Sequence, residues 1–471
     1  MGNRQKNYHL PMTNHPLAIS KMIKILHLSD IHMGSGFSHG RVNPETGVNT
    51  RLEDFVNSLS KCIDRAIGLC PDTENGEPVD LVLFGGDAFP DATPPPYVQE
   101  AFASQFRRLV DAQIPTVLLV GNHDQHSQGQ GGASLCIYRT LGVPGFIVGD
   151  RIVTHRIETR SGPVQIITLP WITRSTLLTR PETEDLSLAE VNELLIKRLE
   201  PRLEGEIRRL DPEVPTVLLA HLMADRANLG AERFLAVGKG FTIPISMLTR
   251  PCFDYVALGH VHRHQSLNKS NQPPVIYPGS IERVDFSEEK EDKGYVMIQL
   301  ERGNTQWEFC PLPVRPFRTI EVDISEAADP QAALTKAIGK KDIKDAVVRL
   351  IYKLRSEQID LIDNNALHAS LSDAHTYTIQ AELVSQLARP RLPELGSSAS
   401  TDPMEALKTY LANREDLKDI AAQMLEEAQK LLAHEEEAWF NASDIEEASA
   451  TGTNQANQQS VATTDSQLRL L

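Results

Sequence analysis

Short apolar segments recur along the chain, and each is followed at once by polar residues. These segments are brief and rich in valine, isoleucine and leucine, which predicts buried β-strands rather than helices. The five segments span residues 23–28, 81–84, 117–120, 217–220 and 255–258. Because the carboxyl ends of strands collect at one rim of an α/β fold, we expect the residues that follow these segments to converge there.

The residues that follow the five segments are of types that bind metal ions. They occur in five short motifs, which are Asp30-Ile31-His32, Gly86-Asp87, Gly121-Asn122-His123-Asp124, a lone His221, and Gly259-His260-Val261-His262. Carboxylate, amide and imidazole groups without cysteine suit manganese or iron in open octahedral sites better than structural zinc. The motifs therefore predict a binuclear metal site.

The two predicted ion sites share one carboxylate. Asp87 is the candidate bridge, because two divalent ions about 3.5–4 Å apart need a bridging anion. One ion would be completed by Asp30, His32 and His262, and the other by Asn122, His221 and His260. Such ions make hydroxide available near neutral pH, so water rather than a side chain is the expected nucleophile toward phosphorus. His123 is predicted to be catalytic rather than a ligand, since an imidazole can stabilise phosphoryl charge or protonate the leaving oxygen.

Composition predicts a large protein of a reducing compartment. The chain has 471 residues, more than one hydrophobic core usually supports, so two or three folding units are expected. Its five cysteines are scattered without a Cys-x-x-Cys pair, and no apolar run approaches the ~20 residues that span a bilayer. We therefore predict a cytoplasmic protein without membrane segments. Residues 1–21 are expected to be a disordered extension or to result from a misplaced start.

The net charge of −16 predicts weak affinity for nucleic acids, because lysine and arginine contacts dominate affinity for phosphates. Much of the acidity lies near the C-terminus, and metal ions would add positive charge at the site itself. Six arginines could form a local basic rim, namely Arg41, Arg51, Arg151, Arg156, Arg160 and Arg174. Weak affinity for nucleic acid would also be compatible with a protein that depends on a partner for binding.

The chain beyond the metal motifs predicts further units. A strand-helix-strand-helix-strand order over residues 316–388 predicts a small α/β domain, with its second helix at Glu357–Leu371. Residues 389–402 are rich in proline, glycine and serine and predict a linker. Apolar residues spaced by three and four over residues 403–434 predict a helix-loop-helix that cannot bury its apolar stripes alone. Residues 441–471 are predicted to be disordered.

The five motifs, in this order, resemble those of the calcineurin-like metallophosphoesterases. Three features together narrow the resemblance to the SbcD family of nuclease subunits. They are the segment Leu28-Ser29-Asp30-Ile31-His32-Met33-Gly34, the segment Tyr277-Pro278-Gly279-Ser280-Ile281-Glu282-Arg283 with Asp285-Phe286-Ser287-Glu288, and the region that follows it. The resemblance covers about Met22 to Leu432. One departure is Pro90, which displaces by one position an aspartate that usually follows the Gly-Asp motif.

This resemblance implies the fold, the activity and the partners. The fold would be α/β, with a metallophosphoesterase β-sandwich flanked by helices at residues 22–312, a capping domain at 316–388 and a C-terminal helix-loop-helix at 403–434. The activity would be that of a DNA exonuclease and endonuclease with two Mn²⁺ ions, acting in DNA end processing and double-strand-break repair. The helix-loop-helix would dock on an SMC-like ATPase, and two such nuclease subunits would form a homodimer within a heterotetramer.

Two alternatives stay open at this point. The first is a phosphoesterase of the same fold that acts on a small phosphodiester such as a cyclic nucleotide, for which the five motifs alone would serve equally well. The second is a catalytically idle scaffold that recruits the ATPase through its C-terminal helices. The segment from Tyr277 to Glu288 and the additional domains count against the first alternative. The complete set of candidate ligands counts against the second.

Overall fold

A computed structural model gives the structure of the chain in nine described stretches. These are residues 22–69, 76–125, 133–173, 186–228, 242–268, 272–384, 403–412, 417 and 420–430. The predictions for residues 1–21, 389–402 and 441–471 lie outside them. So do residues 385–388 of the predicted capping domain and residues 413–416, 418–419 and 431–434 of the predicted helix-loop-helix. The chain divides into two compact units, Met1–Val384 and Ser385–Leu471.

Seventeen strands are described in the first unit. In chain order they are β1 (Ile23–Leu28), β2 (Leu81–Phe84), β3 (Thr116–Leu119), β4 (Phe146–Gly149), β5 (Val153–Thr159), β6 (Gly162–Leu169), β7 (Thr216–His221), β8 (Met223–Ala224), β9 (Thr242–Ile243), β10 (Tyr255–Gly259), β11 (Gln265–Ser266), β12 (Val275–Tyr277), β13 (Gly294–Leu300), β14 (Gln306–Pro311), β15 (Phe317–Asp323), β16 (Val347–Leu354) and β17 (Thr376–Leu383). The five apolar segments of the sequence correspond to β1, β2, β3, β7 and β10, with ends that differ by at most one residue.

Two six-stranded sheets pack face to face. The first has the order β14-β13-β1-β2-β3-β4, and the second has the order β11-β12-β10-β7-β6-β5. Buried aliphatic side chains from both sheets, such as Ile25, Leu83, Val217 and Ile276, fill the space between them. Strands β1 to β4 run parallel, and so do β6, β7, β10 and β12, so the ends that carry the predicted motifs share one edge of each sheet.

Several α-helices pack on the outer faces of the two six-stranded sheets. In chain order the α-helices are α1 (Thr50–Ala66), α2 (Pro96–Asp111), α3 (Cys136–Thr140), α4 (Leu188–Ile207), α5 (Ile245–Leu248), α6 (Pro330–Gly339), α7 (Asn364–Ser370) and α8 (Pro403–Ala412), and 3₁₀ helices span Phe37–His39, Phe286–Glu288 and Ser356–Leu361. Apolar residues of α1 and α2 bury against the first sheet, and those of α4 bury against the second. The predicted β-sandwich flanked by helices is thereby confirmed.

A third sheet of three parallel strands, β15-β16-β17, belongs to the same compact unit. Helices α6 and α7 pack on one of its faces through residues such as Leu334 and Leu367. The predicted helix Glu357–Leu371 is instead a 3₁₀ helix followed by α7. The break occurs because Ile362 is extended and the Asp363 side chain accepts hydrogen bonds from two backbone N–H groups, which starts a new helix.

The second compact unit is described at two helical stretches, α8 and residues 421–430. Leu411 of α8 is buried, whereas Ile420 and Met424 are exposed by 47% and 38%. Among the described residues of the whole chain, no helix combines the length and the apolar character needed to cross a membrane.

Candidate metal centre

Sharp backbone turns end the strands that carry the predicted ligands. Asp30, His32, Asp87 and His260 have φ angles between 46° and 106°. They are four of the six non-glycine residues with positive φ in the described part of the chain. This conformation is unfavourable for residues with a side chain, and it concentrates at functional sites. Backbone strain is therefore found mainly at residues whose side chains meet at this rim.

Two glycines allow the strand ends to approach the ligands closely. Gly86 has a φ of +98°, and a Cβ atom there would lie 2.6 Å from Nδ1 of His221. A Cβ atom on Gly121 would lie 2.1 Å from Oδ1 of Asp87. Neither distance is compatible with a side chain, so glycine is required beside Asp87 on both strand ends.

The first cluster joins Asp30, His32 and His262, whose candidate ligand atoms all lie within 4.8 Å of one another. The two imidazoles face each other, with 2.9 Å between their Nε2 atoms. Asp30 is buried and accepts hydrogen bonds from Ser29 Oγ and from the backbone N–H of His260. His32 Nε2 lies 3.7 Å from Oδ2 of Asp87, which brings the second cluster next to the first.

The second cluster joins Asp87, His221 and His260, again within 4.8 Å. His221 Nε2 lies 3.3 Å from Asp87 Oδ2. The side-chain oxygen of Asn122 lies 2.9 Å from His221 Nε2 and 2.9 Å from His260 Nδ1. The structure thus brings together all seven side chains that the motifs single out as ligands, with Asp87 between the two groups.

Hydrogen bonds indicate which nitrogen of two imidazoles carries the proton. His221 Nδ1 lies 2.7 Å from the carbonyl oxygen of Gly85, and His262 Nδ1 lies 2.7 Å from a carboxylate oxygen of Glu288. Because both partners accept, both Nδ1 atoms donate, and Nε2 of a neutral ring presents a lone pair. Among the contacts described for His221 Nε2, this lone pair faces two acceptor oxygens, from Asp87 and Asn122. Such a donor set fits a divalent cation, with a proton as its competitor.

Burial and charge act in opposite directions on the ionisable groups of the site. Burial raises the pKa of Asp30 to about 6 and lowers the pKa of His260 to about 3. Burial would also raise the pKa of Asp87, but the charge of His221 outweighs it and holds that pKa far below its ordinary range. Burial would lower the pKa of His221, but Asp87 raises it to about 9. A metal ion at this pair would therefore displace a proton.

His123 lies beside both clusters. Its backbone N–H donates to Asp87 Oδ1 at 2.9 Å, and its ring centroid is 5.0 Å from that of His32. The Nδ1 atom lies 2.7 Å from the carbonyl oxygen of Pro90 and donates to it, which leaves Nε2 without the proton in a neutral ring. Pro90, the departure noted in the sequence, thus supplies a backbone acceptor that orients His123.

Asp124 has a structural role that sequence reasoning missed. It is fully buried, and its carboxylate accepts backbone hydrogen bonds from Asp87, Ala88 and Gly121 at 2.8–3.0 Å. Burial raises its pKa to about 7. The fourth position of the Gly-Asn-His-Asp motif was the available signal, since a carboxylate beside two turns is a ready acceptor for their N–H groups.

Two more buried residues, Glu288 and Lys293, were missed as neighbours of the site. Glu288 contacts His262 and lies 2.9 Å from Lys293 Nζ. Both residues are about 1% exposed. Glu288 belongs to the Asp285-Phe286-Ser287-Glu288 segment, which carried the resemblance but no assigned chemistry.

The predicted basic rim is wrong at Arg51. Its side chain is completely buried, it pairs with Asp54, and it donates to the carbonyl oxygen of Arg283. The ring centroid of His39 lies 5.3 Å from that of Phe286 and 5.6 Å from that of Phe317, so His39 belongs to an aromatic contact with β15. Arg174, another arginine of the predicted rim, lies outside the described residues.

Comparisons with known proteins bear on the same region. The family model of the calcineurin-like phosphoesterases matches residues 23–264, a range that contains all seven clustered side chains. The chain is similar to the SbcD component of the SbcCD nuclease of Staphylococcus epidermidis, with 26% identity over 307 residues that cover 64% of this chain and 72% of that protein. Phosphopantetheinyl hydrolase PptH of Mycobacterium tuberculosis superposes with a TM-score of 0.31 and 11% identity, over 55% of this chain and 90% of that chain. A TM-score this low supports no conclusion.

Proposed function

The chain belongs to the calcineurin-like phosphoesterases, and from that premise we propose that it is a manganese-dependent DNA nuclease. It would cut phosphodiester bonds as an exonuclease and an endonuclease, in DNA end processing and double-strand-break repair. The observation that carries the hydrolytic chemistry is the pair of ligand clusters that meet at Asp87. The choice of DNA as substrate is supported by the similarity to a protein named as part of a nuclease.

The metal ligands in this proposal are the seven clustered side chains. One ion would be held by Asp30, His32 and His262, a second by Asn122, His221 and His260, and Asp87 would serve both. Two divalent ions, Mn²⁺ in this proposal, would supply Lewis acidity toward the phosphoryl oxygens and lower the pKa of an attacking water. Oxygen and imidazole donors without cysteine support manganese over a structural zinc ion.

His123 is proposed as the catalytic residue that is not a ligand. Its Nδ1 is held by the Pro90 carbonyl oxygen, so its Nε2 is the atom available to the substrate. In the protonated ring this nitrogen would stabilise charge on the phosphoryl group or donate a proton to the leaving oxygen. Asp124 would keep the turns beside Asp87 and Gly121 in place while this happens.

The partners in this proposal are DNA, an SMC-like ATPase and a second copy of the nuclease subunit, in a heterotetramer. The ATPase would bind the helix-loop-helix at residues 403–434, and the exposed Ile420 and Met424 support an apolar face that needs a partner. The proposed units are the nuclease domain at 22–312 and the capping domain at 316–388. A net charge of −16 supports a subunit that relies on its partner for DNA affinity. The cytoplasmic location stays a prediction.

The decisive experiment is cleavage of end-labelled double-stranded and single-stranded DNA in Mn²⁺ by the purified chain. The reaction is run alone and with the ATPase and ATP, beside Asp87→Ala. Cleavage that needs Asp87 and increases with the ATPase is the expected result. If bis-p-nitrophenyl phosphate is hydrolysed but DNA is not, the enzyme acts on a small phosphodiester. If neither is hydrolysed while the ATPase still binds, the chain is a scaffold.

A further inference from the structure

A short turn between β12 and β13 contains Glu288 and contacts the metal centre. Glu288 ends the 3₁₀ helix Phe286–Glu288 and is 1% exposed. One carboxylate oxygen lies 2.7 Å from His262 Nδ1. The other accepts a hydrogen bond from the backbone N–H of Val284 at 3.0 Å and lies 2.9 Å from Lys293 Nζ. Both oxygens of this buried carboxylate are therefore committed to named partners.

Lys293 connects Glu288 to the backbone of the same histidine. Its side chain is fully buried, and Nζ donates to the carbonyl oxygen of His262 at 3.1 Å and to Glu291 at 2.9 Å. His262 is thus contacted at its ring by Glu288 and at its carbonyl by Lys293. A buried ion pair of this kind costs desolvation energy. Here both of its members contact the same candidate metal ligand.

We propose that Glu288 is a positioning residue for the metal ion bound by His262, and that Lys293 holds Glu288 in place. The inference rests on the ligand role proposed above for His262. The carboxylate keeps the proton on Nδ1, fixes the ring rotation and increases the basicity of Nε2, which is the atom 2.9 Å from His32 Nε2. His221 of the other cluster has the Gly85 carbonyl oxygen, a neutral acceptor, at the same position, so the effect is specific to one of the two ions.

Residues of the three-stranded sheet also contact this turn. The ring of Phe286 lies 5.0 Å from that of Phe317 in β15, and the guanidinium of Arg349 in β16 lies 4.4 Å above it. The Glu289 carboxylate accepts the backbone N–H of Thr319 at 3.0 Å. The three-stranded sheet therefore holds the turn in place, and the turn holds the ring of His262. This is the contribution of the segment from Asp285 to Glu288 to the site.

The test is a calorimetric Mn²⁺ titration of the full chain, freed of metal, with no substrate present. Glu288→Gln keeps the size of the side chain and removes its charge. We expect it to weaken one of the two Mn²⁺ sites by about 10–100-fold, the usual effect of losing an outer partner of a histidine ligand, and to leave the other unchanged. With bis-p-nitrophenyl phosphate, saturating Mn²⁺ should restore much of the lost rate.

The matched control is Glu291→Gln, because Glu291 shares Lys293 with Glu288 but, among the contacts described for its side chain, has none with the His262 ring. It should bind both ions as the unmodified protein does. If Glu288→Gln also binds both ions normally, or if the two variants lose affinity equally, the positioning role is refuted. Should Glu288→Gln fold poorly because it leaves Lys293 without its carboxylate, the double variant Glu288→Gln/Lys293→Met removes the buried charge and should show the same selective loss.

His262→Ala separates this inference from the proposed function. If it loses one ion while Glu288→Gln binds like the unmodified protein, only the positioning role fails. If it keeps both ions at full affinity, the proposed ligand set is wrong and the role of Glu288 falls with it. Because the titration needs no DNA, an inability to cut DNA would count against the proposed substrate and not against this inference.

Discussion

Two parts of this protein place polar residues at the carboxyl ends of parallel strands, and they differ in what those residues do. At the sandwich rim, Asp87 follows β2 and His221 ends β7. Each residue is 1% exposed, and Asp87 Oδ2 lies 3.3 Å from His221 Nε2. At the three-stranded sheet, Glu321, Asp323 and Lys353 line an open cavity of about 380 Å³ and are exposed to solvent. In the described part of the chain, every group of three side chains that could hold a metal ion lies at the rim.

Burial and a positive φ angle explain why the polar residues bind differently in the two regions. Asp323 is exposed and satisfies its carboxylate locally, through the N–H and hydroxyl of Ser325 at 3.0 and 2.6 Å. The carboxylate of Asp87 is shielded from water, so its charge and hydrogen bonds must be satisfied by neighbouring groups. Its backbone has a φ of 59°. Polar residues at strand ends are therefore insufficient for a metal site. They must also be desolvated and turned toward one another.

The largest effect that would test this contrast is the loss of a carboxylate from each sheet. We expect Asp87→Ala to lose both metal ions and to reduce hydrolysis of bis-p-nitrophenyl phosphate by well over ~100-fold, more than the loss of an outer partner causes. Asp323→Ala should leave the metal content and the rate unchanged. Elemental analysis and steady-state kinetics measure both. A metal-depleted Asp323→Ala would mean that the three-stranded sheet also binds ions.

The next effect separates catalysis from coordination within the rim. His123→Ala should reduce kcat by about 100–10,000-fold, the range for losing a general acid, while two metal ions stay bound. His368→Ala is the matched control, because this exposed histidine of α7 bonds only to Tyr377 among the contacts described for it. Metal depletion in His123→Ala would show that His123 is a ligand and that the proposed division of roles is wrong.

The buried pair Asp87 and His221 should also make the metal-free protein sensitive to pH. The pKa of His221 is raised to about 9, above the ordinary value of 6.5, so the pair stabilises the fold fully below pH 6.5. That stabilisation is lost as the pH rises through about 9, by at most about 1.4 kcal/mol per pH unit. Urea unfolding with chelator, compared with His221→Gln, measures it. Identical pH profiles of the two proteins would exclude a protonated pair.

The smallest effect concerns a carboxylate of the three-stranded sheet region that acts as a helix cap. Asp363→Ala should cost about 1 kcal/mol in the free energy of unfolding, because it removes the side-chain acceptor for the N–H groups of Asn365 and Ala366. Metal affinity should not change, and both quantities follow from chemical denaturation and a Mn²⁺ titration. A loss of metal affinity would mean that the two regions are energetically coupled.

Sequence reasoning succeeded where a residue type and its place at a strand end were enough. The five strands before the motifs and the convergence of the seven candidate ligands could be predicted, because apolar period and strand polarity are local properties. The β-sandwich itself was implied by the resemblance to the calcineurin-like metallophosphoesterases. It failed where a partner is distant in sequence. The burial of Arg51 depends on the backbone of Arg283, which lies 232 residues further along the chain. The contact between His262 and Glu288 joins residues that are 26 positions apart.

The sequence by itself determined the strands, the types of donor atoms and which strand end carries each donor. Only the tertiary structure decided which imidazole nitrogen faces which oxygen, that the Pro90 carbonyl orients His123, and that the carboxylates of β15 stay in water. The physical reason is that strand formation follows from side chains a few residues apart. Desolvation and hydrogen-bond partners, by contrast, depend on how two sheets and their loops pack together.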